Sequence, residues 1–339
     1  MGYKLIAIIF LVPLSIGSES EVPLSTSQLE QKFGQGYSVH PLTVDCVVSQ
    51  SGERYDVVLH AKPNFNETLI IVRGLGSCIK LELQEFARII FVDDYSTFSS
   101  KVEDHEPLAI RPNYTSFENP WKSTLNHPQT NCADPNSNSY CVAALESKNI
   151  YPPIGGSLRN EPVEKVIPFE FRVRAVFDRP SHYFTAGDLA AVGMINNISS
   201  AHPPFPLLTE DDSNVSFCNA NNLPSNCAPG GAVSHPIHLH GVGFQVIDMG
   251  TRQQYANGQT GFRNSTKLPV VKDTVIVPSG GFVRLRFKSC NPGYWFFHCH
   301  FEYHMHVGML AIIKVGNKTD MIPPPPNFPK CGDYLPPVY

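Results

Sequence analysis

Eight metal-donor side chains, His235, His238, His240, His298, Cys299, His300, His304 and Met309, lie in two short segments, HPIHLHG (235–241) and HCHFEYHMHVGM (298–309). Their spacing sorts them. Successive side chains of a β-strand point to opposite faces, so His298 and His300 share a face while Cys299 points the other way. His238 and His240 share a face by the same rule, whereas His235 stands at an odd separation from His238 and need not join them. Two neighbouring sites follow: Cys299 with His235, His304 and Met309, and a second made of His238, His240, His298 and His300.

The first set has a chemical identity. One thiolate, two imidazoles and a weak thioether form the ligand set of a blue-copper electron-transfer site. Zinc prefers four strong N, S or O ligands in a closed tetrahedron and takes a thioether poorly. The second set, all imidazole, suits copper that handles dioxygen. Because Cys299 lies covalently between His298 and His300, an electron at the first site has a short through-bond route to the second.

On these residues the chain resembles the multicopper oxidases, and within them the laccase-like group. The resemblance implies that His235, Cys299, His304 and Met309 bind the type 1 copper, His238 the type 2 copper, and His240, His298 and His300 the type 3 pair. Glu302 matches an acidic position that donates protons during O–O cleavage in that family; read from its place alone, it is a carboxylate orienting a histidine. Further matching segments are SGERYDVVL (51–59), RGLGSC (73–78), MINNISS (194–200), KDTVIVPSGG (272–281) and NPGYWFFHCH (291–300), and the likeness runs from roughly residue 37 to 333.

Two departures stand out. A complete member of the family has three cupredoxin domains, and the first brings H-x-H-G and H-x-H, four more ligands of the trinuclear cluster. The 13 histidines of this chain include no further H-x-H pair except His304-Met305-His306, where His304 already belongs to the type 1 set. The resemblance thus implies a whole type 1 site and half of a trinuclear one. Either another chain supplies the missing domain, or the sequence is a truncated product, splice form or incomplete gene model. In addition, Cys227–Gly231 runs almost directly into Ser234-His235, where a core strand of the last domain is expected in relatives.

Composition points to a secreted β protein. Charged residues are 17% of the chain, below the usual quarter, and the 30 prolines exceed the ordinary share. A formal net charge of −4 leaves no footprint for nucleic acid or an anionic membrane. Lys4, the apolar run Leu5–Ile16 and the small residues Ser15, Gly17 and Ser18 read as a signal peptide over 1–18. The run is shorter than the about 18 apolar residues a membrane span needs. Setting Cys299 aside from the 9 cysteines leaves an even number suited to disulfides in an oxidising compartment. Cys132 with Cys141 and Cys218 with Cys227 are local candidates. N-x-S/T sequons at Asn66, Asn113, Asn197, Asn214, Asn264 and Asn317 fit a glycoprotein.

Alternation predicts the fold. Phe169, Phe171 and Val173 interleave with Glu170, Arg172 and Arg174, and Val283, Leu285 and Phe287 with Arg284, Arg286 and Lys288. Further strands are expected at 54–60, 68–73, 87–92 and 310–315, with Pro278–Gly281 turning one strand into the next. Many short strands with turn punctuation indicate an all-β architecture of sandwich or Greek-key barrel type, and the resemblance makes these domains cupredoxin-like. Residues 25–98 are expected to be part of a middle cupredoxin domain without copper, 99–162 a connector, and 163–332 the copper-bearing domain.

The implied activity is one-electron oxidation of phenols or diphenols coupled to reduction of O2 to water. Alternatives are a metallo-oxidase acting on Fe(II) or Cu(I), or a non-catalytic copper-binding form. An axial Met309 favours easily oxidised catechols and hydroquinones.

Overall fold

The computed structural model describes residues 24–26, 37–44, 46–59, 67–74, 84–90, 123–126, 139–151, 154–176, 185–186, 189–200, 207–208, 227–229, 234–258 and 265–328. The expected leader, Cys132, Cys218 and four of the sequons lie outside them. The chain is all-β: short strands dominate, and the two α-helices among the described residues have one turn each. No helix among them is long and apolar enough to cross a membrane.

The strands that position the donors are β1 (Phe171–Val176), β2 (Leu189–Ile195), β3 (His235–Leu239), β4 (Phe244–Thr251), β5 (Thr274–Val277), β6 (Gly281–Arg286), β7 (Gly293–Cys299) and β8 (Leu310–Val315). Helix α1 (Arg252–Ala256) follows β4, and α2 (Glu302–His306) separates β7 from β8. Four of the strands make one antiparallel sheet in the order β5-β3-β7-β8, in which only β7 and β8 are neighbours both in space and in sequence. Strand β4 pairs with Val271–Lys272 on one side and β6 on the other. Strands β1 and β2 form a third sheet, and Cys227–Pro229 adds to the far edge of β1.

The faces of the first two sheets share one core. Ile237 and Leu239 of β3, Phe244 and Val246 of β4, Val275 of β5 and Phe297 and Cys299 of β7 pack in it, together with Val44, Val47, Leu125 and Val142 from earlier in the chain. Each fully buried Leu, Ile or Phe there contributes roughly 1.5–3 kcal/mol of hydrophobic free energy. Val47 and Leu125 arrive on the short parallel strands Cys46–Val47 and Thr124–Leu125, the second of which also pairs with Ser139–Tyr140 just ahead of Val142.

Alternation is expressed unequally. In β1, Phe171 and Val173 are half-buried while Arg172 is exposed. In β6 every residue is half-buried, because the arginine face is covered too: Arg286 donates to the carbonyls of Leu158 and Glu161 and Arg284 to Asp248. The strand expected over 54–60 is narrower, Val58–Leu59, since residues 53–57 are irregular chain that starts at Glu53, bonded to Ile276 N–H of β5; residue 60 lies outside the described residues. The strands expected at 68–73 and 87–92 occur as the antiparallel pair Glu67–Arg73 and Gln84–Ile90. The strand expected at 310–315 is β8.

Candidate metal centre

Strand register builds both donor clusters. His238 of β3 lies opposite His298 of β7, and Ile237 lies opposite Cys299. The two imidazoles therefore stand together on one face, while the sulfur enters the other face among core side chains. His240 follows two residues after His238 on that same face. His300 lies one residue past the end of β7, tied down by its N–H to the Pro236 carbonyl at 2.6 Å.

On the sulfur side, Sγ of Cys299 lies 3.6 Å from Nδ1 of His304 and 3.8 Å from Nδ1 of His235. Two ligands bound at ~2.3 Å (sulfur) and ~2.05 Å (nitrogen) would stand ~3.6 Å apart at a tetrahedral angle and ~3.8 Å at a trigonal one. The spacing is that of donors facing one ion. Cys299 is fully buried and its thiol is not in a disulfide. Met309 is fully buried as well, and its backbone closes the loop. Its N–H donates to the His304 carbonyl at 2.9 Å, and its own carbonyl accepts from Cys299 N–H at 3.1 Å.

The loop between the sulfur and Met309 is the helix α2, and β2 holds it from outside. Gly193 N–H donates to Val307 O at 2.7 Å. A Cβ on Gly193 would stand 2.7 Å from the His304 carbonyl and 2.9 Å from Met309 N, so only glycine admits the loop this closely. The chain then turns through Asn196 and Asn197, both at positive φ. On the return it meets the loop again: Ser199 Oγ donates to Val307 O at 3.2 Å and Ser200 N–H to Gly308 O at 3.1 Å.

On the other face, Nε2 of His240 and Nε2 of His298 are 3.1 Å apart. That falls between the ~2.9 Å and ~3.3 Å expected for two nitrogens on one first-row metal at right and tetrahedral angles. Nδ1 of His298 lies 2.9 Å from the Cys299 carbonyl, and Nδ1 of His238 lies 2.9 Å from both the Asp273 carbonyl and Thr274 Oγ1. An N–H at each Nδ1 donating to its carbonyl fixes the tautomer and leaves Nε2 as the lone-pair donor, the usual arrangement of a metal-binding imidazole. The His300 ring centroid is 5.3 Å from that of His238 and 5.6 Å from that of His298.

Burial sets the charge states. It holds His235, His238, His298 and His304 down at about 4, with the neighbouring imidazole adding to the effect at His235 and the Asp273 carboxylate opposing it at His238. His240 is lowered by the same cause. Burial pushes the Cys299 thiol up to about 12, against a Phe301 backbone N–H that favours the thiolate. These five imidazoles are therefore neutral near neutral pH, fit to act as ligands, and the sulfur would give up its proton to a cation that replaced it.

Among the described residues two groups can hold a metal ion, His235 with Cys299 and His304, and His238 with His240 and His298. Glu302 sits at the exposed first turn of α2, where its carboxylate meets Nε2 of His306 at 3.2 Å.

Sequence reading attached no role to the residues behind the histidines. Arg54 bonds Asp273 at 2.5 Å and the Gly52 carbonyl at 3.0 Å. Glu53, fully buried, accepts from the N–H groups of Ile276 and Gln50. Both segments, SGERYDVVL and KDTVIVPSGG, were visible as matches; their contact across more than two hundred residues was not.

Residues 195–319 match the family model described as Multicopper oxidase. Laccase-17 of Arabidopsis thaliana is 43% identical over 106 residues, 30% of this chain and 18% of that protein. Laccase-21 of Oryza sativa subsp. japonica is 42% identical over 102 residues, 29% of this chain and 17% of that protein. Laccase-7 of Arabidopsis thaliana is 35% identical over 147 residues, 40% and 25% respectively. Among solved structures, Fet3p, a multicopper oxidase that functions in iron import, aligns with TM-score 0.54 and 20% identity over 91% of this chain and 55% of its own. The laccase from Botrytis aclada aligns with TM-score 0.50 and 16% identity over 91% and 50%. These two likenesses show the fold. The chain thus spans about half the length of the structures it resembles, and its matches cover a quarter or less of the curated relatives.

Proposed function

We propose that the chain is a laccase-like oxidoreductase of the multicopper oxidases, the family whose model matches residues 195–319. It takes electrons singly from phenols or diphenols, and four electrons with four protons convert O2 to two waters. The observation that carries this reading is the placement of a buried thiol 3.6 Å and 3.8 Å from two imidazole nitrogens, with a histidine cluster on the opposite face of the same strand. Copper held by these donors would supply the one-electron chemistry that organic side chains lack.

The chain's own residues divide the work. His235, Cys299, His304 and Met309 would hold the type 1 ion; His238 the type 2 ion; His240, His298 and His300 the type 3 pair. The peptide of Cys299 couples the two groups covalently to His298 and His300, and the His298 Nδ1–Cys299 carbonyl contact adds a second link. Burial of Cys299 and Met309 keeps water from the sulfur. Phe171, with its ring centroid 6.3 Å from that of His235, packs beside that ligand and shields it. Glu302 would serve as proton donor once turned from His306 toward the histidine cluster. Domain limits at 25–98, 99–162 and 163–332 and export by a leader at 1–18 complete the proposal.

Copper-loading the full chain and adding a catechol without oxygen tests it. The expected result is a thiolate-to-copper visible absorption that the catechol bleaches. Absence of that absorption, or bleaching by Fe(II) but not by catechol, would overturn the laccase reading; the second outcome selects the metallo-oxidase.

A further inference from the structure

The second histidine cluster is braced by chain from far upstream, at residues 52–54. Gly52 has φ of +79°, and a Cβ there would come within 2.4 Å of Cγ of His300. The bare backbone of the turn therefore lies directly against the imidazole. Arg54 continues the contact: its guanidinium donates to the Gly52 carbonyl at 3.0 Å and to Oδ2 of Asp273 at 2.5 Å. Oδ1 of Asp273 in turn accepts from Thr274 Oγ1 at 3.0 Å, and both Thr274 Oγ1 and the Asp273 carbonyl lie 2.9 Å from Nδ1 of His238.

The turn cannot drift, because Glu53 anchors it in the interior. Its Oε1 accepts from Ile276 N–H in β5 and from the Tyr55 hydroxyl, both at 3.1 Å, and its Oε2 accepts from Gln50 N–H at 3.2 Å. Lys272, 4.0 Å away, balances the buried carboxylate and stands 4.1 Å over the Tyr55 ring.

We propose that Gly52 and Arg54 are positioning residues for the histidine cluster. Gly52 sets the plane of the His300 ring, and Arg54, through Asp273 and Thr274, sets the tautomer and angle of His238. In the contacts above the brace touches none of the Cys299-site ligands themselves and reaches that site only through the backbone of His300, so the two clusters should respond differently when it is altered. The inference rests on the four-histidine reading of the second site.

The test is Gly52→Ala in the full chain, with Arg54→Met as a second variant that adds no atom against His300. Each is titrated with Cu(II) alone. The thiolate-to-copper absorption reports the Cys299 site, and the separate paramagnetic signal of non-blue Cu(II) reports the histidine cluster. The expected result is cluster affinity weakened at least tenfold while the affinity behind the blue absorption stays within twofold. Equal loss of both signals would make the segment a general fold support and overturn the inference; so would no change in either. If the unaltered chain gives blue absorption and no second Cu(II) signal, the four-histidine reading fails by itself. The imidazole proton and nitrogen resonances of His238 and His300 in the metal-free Gly52→Ala chain then decide: displaced resonances support the brace, and unchanged ones overturn it.

Discussion

The chemistry of single residues predicts how metal uptake depends on pH. In the metal-free chain the Cys299 thiol, pushed up to about 12, is protonated throughout the neutral range, while His235 and His304, held at about 4, are not. Filling this site should release about one proton, and its apparent affinity should rise about tenfold per pH unit between pH 5 and 8. Competition titrations at several pH values check the slope; ordinary imidazoles would steepen it below pH 6.5. Replacing Cys299 by Ser should abolish the visible absorption and leave Cu(II) in the histidine cluster, read by electron paramagnetic resonance. These donors were legible because type and spacing are properties of the sequence itself. Their tautomers were not, since those follow from which carbonyl each Nδ1 meets: Asp273 for His238, Cys299 for His298.

At the level of elements, the decisive contacts are those that let two backbones meet. Strand β2 touches the ligand loop only because residue 193 has no side chain. Gly193→Ala should force the loop outward. The expected cost is about 1–3 kcal/mol of stability, measured by chemical denaturation, with weaker copper binding at Cys299. Strands with a wet face, such as β1, were readable from alternation. Strand β6 also alternates in sequence, but Leu158, Glu161 and Asp248 cover its arginines, so its two faces are equally shielded. Helix α2 escaped the reading for a different reason. At five residues it is too short to display a period, and His304 within it was already explained as a ligand.

For the molecule as a whole, the shared core makes early and late parts of the chain one cooperative unit. Leu125, fully buried, packs in the same cluster as Phe244 and Phe297. Leu125→Ala should cost about 2–5 kcal/mol and lower the single unfolding midpoint seen by both backbone circular dichroism and the blue absorption. Acid should act globally too. His235, His238, His298 and His304 bind a proton near 6.5 when unfolded but only near 4 when folded. The unfolded chain therefore holds more protons between those values, and metal-free stability should fall as pH drops from about 6.5 to about 4. Thermal melts across that range provide the check. The thiol acts with the opposite sign: raised from 9.0 to about 12, it withdraws stability only as pH climbs through that interval. The brace around Gly52 belongs to this scale, and it was illegible because nothing local in SGERYDVVL announces a partner near residue 273.

The pairing of Ile237 with Cys299 and of His238 with His298 has a further consequence. A strand's two sides trade places with every single-residue step. A slip of β7 by one position would bury two imidazoles in hydrocarbon and turn the sulfur outward among histidines. Sorting of the two donor sets is thus decided when hydrogen-bonded neighbours first align, and loops joining those strands tolerate changes of length only where that alignment survives.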